Sequence, residues 1–139
     1  MIVYTGGTFD ICHVGHVNFL KMCKEHFPGC RLVVGLNTDE FILEYKKKPA
    51  VFNYEERKSH LMLVEYVDEV IPNTGGADSK PAILESEADV VAIGQDWLVK
   101  DYCKQMGFTS QWLTDNHIAL IYIPHTDGIS SSLIKEKIK

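Results

Sequence analysis

His13 and His16 stand three residues apart with Gly15 between them, and they follow a glycine pair, Gly6-Gly7, and an aspartate, Asp10. With a helix starting at or just after His13, the two imidazoles fall on one face, and Gly15 leaves room for a ligand to lie close. An imidazole is poised between neutral and protonated near pH 7. Two side by side can hydrogen-bond a phosphate and strengthen that bond as negative charge grows during group transfer. The chemistry this spacing suits is the transfer of a group that carries phosphate.

Such a pair needs a strand, a tight turn and a helix to hold it. Met1 to Thr5 is a short β-branched and aromatic run, the glycines supply the turn, and Val14 to Phe27 carries apolar residues at helical spacing. In a parallel α/β sheet that junction lies at the carboxyl end of a strand, where helix amides and dipole favour phosphate. Further strands are predicted at Arg31 to Asn37, Tyr66 to Pro72, Ala88 to Gly94 and Ile118 to Pro124, alternating with helical stretches. The rhythm implies one α/β domain over residues 1–139: a doubly wound, Rossmann-like sheet of five parallel strands with helices on both faces.

Several other residues fall near the predicted carboxyl edge. Thr38-Asp39-Glu40 suits a helix cap, which is the plain structural reading of Asp39. Lys46-Lys47-Lys48-Pro49 is the one dense cationic run and reads either as a solvated loop or as mobile charge that closes over an anion. Asn53 caps a helix predicted to run through Leu61 to Val64 into Val67, with Glu55-Glu56 and Arg57 in its first turns. Gly94-Gln95-Asp96-Trp97 turns on a glycine at a strand end, and Trp97 reads equally as core filling. Leu98 to Met106 and Thr109 to Asn116 read as short helices of no evident role. Ser130-Ser131-Ser132 opens the closing helix and offers hydroxyls and free amides to a second phosphate position.

Gly7-Thr8-Phe9-Asp10 with His13-Val14-Gly15-His16 resembles the signature of the H-x-G-H nucleotidylyltransferases, above all the cytidylyltransferases. His125-Thr126-Asp127-Gly128-Ile129-Ser130-Ser131-Ser132 is similar to their R-T-x-G-I-S-T-x segment, and length and spacing look most like the small glycerol-3-phosphate cytidylyltransferases. The resemblance implies transfer of CMP from CTP to a small phosphorylated alcohol. It implies a nucleotide site of Gly7, Thr8, Phe9, Asp10, His13, His16, Gly94, Asp96, Trp97, His125, Gly128, Ile129 and Ser130 to Ser132. Catalytic charge falls to His13, His16, Lys46, Lys47 and Arg57, acceptor contacts to Asp39, Arg57 and Glu65, and Mg²⁺ is expected with CTP, with Asp10 as its ligand or as the residue orienting His13. A homodimer is also implied. Two positions depart from the pattern: His125 and Glu65 stand where the family carries arginines. The acceptor therefore stays open between glycerol-3-phosphate, phosphoethanolamine, phosphocholine and another small phosphate or phosphonate. An ATP-using adenylyltransferase and a nucleotide-binding regulatory module are the alternative functions.

Composition narrows the rest. With 45% hydrophobic and 24% charged residues, the 139-residue chain is ordinary for a folded protein, and its formal net charge of −5 disfavours nucleic acid as a partner. No apolar run approaches a membrane span, and Met1 leads straight into a strand, so a cytoplasmic enzyme is expected. Cys12, Cys23, Cys30 and Cys103 show no C-x-x-C spacing and read as free thiols, Cys23 on an inward helix face and Cys12 beside the histidines.

Overall fold

The structure, a computed structural model, describes residues 1–94 and 107–123. Five parallel strands, β1 (Ile2–Gly7), β2 (Arg31–Asn37), β3 (Glu69–Asn73), β4 (Val90–Gly94) and β5 (Ala119–Ile123), form one sheet in the order β3-β2-β1-β4-β5. The predicted parallel architecture is therefore the observed one. Residues 32–36 of β2 are buried without a break, as expected of a strand covered on both faces.

One face of the sheet packs Val3, Val34, Leu36 and Val90 against Leu20 and Cys23 of α1 (Val14–His26) and Leu61 of α3 (Tyr54–Met62). Alternate residues point the other way. Tyr4, Val33, Val91 and Ile93 meet Ala82 and Ile83 of α4 (Lys80–Ser86) and Leu113 of α5 (Ser110–Asp115). A shorter helix, α2 (Asp39–Lys46), follows β2 at once, capped by the Thr38 hydroxyl, which accepts from Phe41 N at 3.2 Å.

The order reverses between β1 and β4, and that is where doubly wound sheets open a crevice at their carboxyl ends. In register along this edge lie Gly7 opposite Leu36, Asn37 opposite Asn73, and Gly94 opposite Ile123.

Two predicted boundaries move. The helix expected to reach Val67 ends at Met62, and Leu63 caps it through bonds from its N–H to the carbonyls of His60 and Leu61. The chain turns from Leu63 onward, with Leu63 86% exposed, and β3 starts only at Glu69. Apolar content misread this stretch, because α3 spans the layer in nine residues and the chain must then turn back to enter the sheet. The helix predicted over Leu98 to Met106 lies outside the described residues.

Candidate nucleotide-binding site

His13 is the N-cap of α1, and the two histidines cap the helix reciprocally. His13 Nδ1 accepts from Gly15 N at 3.1 Å, and His16 Nδ1 accepts from His13 N at 3.4 Å. Their rings stack with centroids 3.8 Å apart. An Nδ1 that accepts carries no proton, so the neutral His13 ring holds its proton on Nε2. That Nε2 is buried and has no hydrogen-bond partner among the described residues. A buried donor without an acceptor costs about 1–3 kcal/mol, a cost that an anion at the helix start would remove.

Burial favours the neutral form of both rings. His16 is pushed down to about 4 by burial first and by the neighbouring His13 second, against an opposing hydrogen bond with the Ile11 backbone. His13 is lowered by burial as well. At neutral pH both rings are therefore uncharged. Phe9 sets the position of His16, with ring centroids 5.0 Å apart in an edge contact. Its backbone takes a left-handed φ of 46°, and its ring occupies the space that a Cβ on Gly7 would need, 2.9 Å away. Glycine at that position is thus a requirement of the loop.

Asp10 is 3% exposed, and its two carboxylate oxygens accept from Val51 N at 2.9 Å and Phe52 N at 3.0 Å. The predicted role as a Mg²⁺ ligand does not fit a buried carboxylate with both oxygens committed to backbone amides, and no group of three or more His, Cys, Asp or Glu among the described residues could hold a metal ion. What Asp10 does is fasten the far end of the lysine loop beside the histidine loop. Lys46 closes α2, Lys47 is its left-handed C-cap, and Lys46 to Pro49 are exposed between that cap and the Asp10 anchor.

Arg57 departs further from expectation. Predicted to meet phosphate, it is fully buried, and its fork is spent on the protein: Nε donates to Phe52 O at 3.0 Å, Nη1 to Thr8 O at 3.0 Å and to Asn37 O at 2.8 Å, and Nη2 to Asp39 Oδ1 at 2.8 Å. Asp39 turns its other oxygen to Tyr54 N at 3.0 Å, so it joins the starts of α2 and α3 rather than facing an acceptor. Arg57 and Asp39 are corrected from ligand-binding residues to the clamp behind the loop. Glu65 is also displaced: it is exposed in the turn before β3, at the amino edge of the sheet, so within one chain it does not reach the histidines.

Two residues at this edge carry no sequence signal. Asn73 Nδ2 donates to Gly76 O at 2.8 Å and to Asn37 Oδ1 at 2.9 Å, and Asn37 Nδ2 donates to Thr8 Oγ1 at 3.0 Å. Gly7, Thr8, Phe9, Asp10, His13, His16 and Gly94 all lie at the carboxyl edge, whereas Asp96, Trp97, His125, Gly128, Ile129 and Ser130 to Ser132 lie outside the described residues. The Cys12 thiol beside the histidines is pushed up by burial, which keeps it from being a thiolate nucleophile at neutral pH.

Residues 4–137 match the family model described as Cytidylyltransferase-like. The chain belongs to this family. Among cytidylyltransferase relatives it is 39% identical to glycerol-3-phosphate cytidylyltransferase of Bacillus subtilis (strain 168), over 98% of this chain and 95% of the relative. The glycerol-3-phosphate cytidylyltransferase of Staphylococcus aureus (strain NCTC 8325 / PS 47) is 34% identical over 98% and 93%. FAD synthase of Pyrococcus horikoshii (strain ATCC 700860 / DSM 12428 / JCM 9974 / NBRC 100139 / OT-3) is 36% identical over 98% of this chain and 90% of its own. In fold, this cytidylyltransferase-like chain is similar to the lipopolysaccharide core biosynthesis protein of Thermoplasma volcanium GSS1, with a TM-score of 0.67, 23% identity, and 91% and 98% of the two chains covered.

Proposed function

We propose that this cytidylyltransferase-like enzyme transfers CMP from CTP to a small phosphorylated alcohol of the glycerol-3-phosphate type and releases pyrophosphate. The observation that carries this reading is the buried Nε2–H of His13 at the start of α1, without a partner among the described residues, in a chain 39% identical to a glycerol-3-phosphate cytidylyltransferase.

An oxygen of the acceptor phosphate attacks the α-phosphorus in line. A new P–O bond forms while the bond from the α-phosphorus to the bridging oxygen breaks, and pyrophosphate leaves with the electron pair. The nucleophile is already an anion and needs no general base, so alignment and charge stabilisation do the catalysis. His13 donates to the α-phosphate as negative charge builds, and His16, stacked upon it, shares that charge with the leaving group. Lys46 to Lys48 supply positive charge from a loop tethered by Asp10. By motif match, Ser130 to Ser132 hold the β and γ phosphates, and Asp96 and Trp97 meet the base. Mg²⁺ bound with the CTP triphosphate would neutralise phosphate charge. The enzyme works as a homodimer in the cytoplasm. Among the described residues no helix is long and apolar enough to cross a membrane.

A second reading, adenylyl transfer in the synthesis of a dinucleotide, is favoured by the 36% identity to an FAD synthase. Pyrophosphate release from each nucleoside triphosphate, measured against a panel of phosphorylated acceptors, separates the two. CTP with glycerol-3-phosphate is expected to give the highest kcat/KM. A preference for ATP would replace the first reading by the second.

A further inference from the structure

We infer that Asn73 and Asn37 are positioning residues whose carboxamides orient the Thr8 hydroxyl as a hydrogen-bond donor towards the phosphate site. The inference rests on the nucleotidyl-transfer reading above. Its polarity follows step by step from groups that have no choice of role.

Gly76 O can only accept, so the group that Asn73 turns towards it is the amide nitrogen. The same nitrogen reaches Asn37, which must therefore present its oxygen. With that oxygen fixed, the nitrogen of Asn37 faces Thr8 Oγ1 and donates to it. The Thr8 oxygen is thereby occupied as an acceptor, and its own hydrogen is released for an acceptor elsewhere. No described residue takes it. Thr8 is half-buried and directly precedes Phe9, whose ring rests on His16, so the hydroxyl belongs to the loop that carries the imidazole pair.

The relay is rigid as well as directional. Asn37 and Asn73 are register partners at the ends of β2 and β3, Asn73 is 3% exposed, and Arg57 Nη1 holds the backbone carbonyls of both Thr8 and Asn37. A donor with its direction fixed before substrate arrives costs no reorganisation during transfer.

Asn37→Asp is the sharpest test, because it is isosteric and reverses one bond. The carboxylate still accepts from Asn73, but its second oxygen faces Thr8 and draws the hydroxyl hydrogen inward. We expect kcat with CTP to fall 10- to 100-fold and KM for CTP to change less than threefold. In a Thr8→Val background the same Asn37→Asp change should cost less than threefold. An equal loss in both backgrounds would mean that the added charge or a general disturbance is responsible, and it would overturn the relay, as would undiminished kcat in Asn37→Asp. Wild-type turnover with CTP, measured alongside, reports separately on the nucleotidyl-transfer reading. Independently of any turnover, the side-chain amide protons of Asn37 and Asn73 should exchange slowly with solvent, and those of Asn37 should exchange faster in Thr8→Val. Fast exchange of both in the wild-type chain would overturn the inference.

Discussion

His16 joins the chemistry to the stability of this protein. In the folded chain its pKa is depressed to about 4 from the ordinary 6.5, so the folded state holds fewer protons than the unfolded one between those limits. Its contribution is therefore complete above pH 6.5 and declines as the pH falls to about 4, by roughly 3 kcal/mol in all. Urea unfolding at stepped pH should show this loss in the wild type, and His16→Asn should lack that part of the slope. His16→Ala should lower turnover by about two orders of magnitude or more, on the scale of losing a preorganised donor; near-normal turnover would remove His16 from the reaction. That the two imidazoles meet on one face at a helix start was readable from spacing alone. Arg57 was not, because an arginine flanked by Glu55, Glu56 and Lys58 looks like a solvated face. Its burial follows from carbonyls that only the folded loop brings together.

The lysine loop shows how one side chain can govern a whole segment. Asp10 accepts two backbone amides from about forty residues further along the chain, a pairing that leaves no side-chain pattern to read. Asp10→Ala would leave those amides without their acceptor and free the far end of the loop. We expect a loss of about 2–4 kcal/mol in stability, faster proteolytic nicking between Lys46 and Phe52, and a raised KM for CTP. Unchanged nicking would show that the loop is held by something else. Strands and helices were legible where buried runs and caps are strong, as in β2 and at Thr38 and Asn53. The end of α3 was not, since Leu61 to Val64 is as apolar as a continuing helix would be.

Across the whole molecule, Arg57 binds the loop after β1, the end of β2 and the start of α3 into one body. Arg57→Leu should cost about 3–5 kcal/mol, since three carbonyls and Asp39 lose their donor. Denaturant unfolding measures it, and a loss under 1 kcal/mol would deny the clamp its role. The parallel order was legible from alternation, whereas Glu65, given an acceptor contact by motif position, lies in the turn at the amino edge, because motif position says nothing of which edge a turn occupies. The reciprocal histidine cap has a last consequence, for descent. The imidazoles proposed to carry the reaction also fasten the first turn of α1, so on that reading a lineage cannot disarm this enzyme quietly: a substitution that silences either imidazole also frays the helix behind it. A binding-only descendant would have to repair that turn with a new cap, such as serine or aspartate, and such a replacement would be a mark of lost transfer that can be read from sequence.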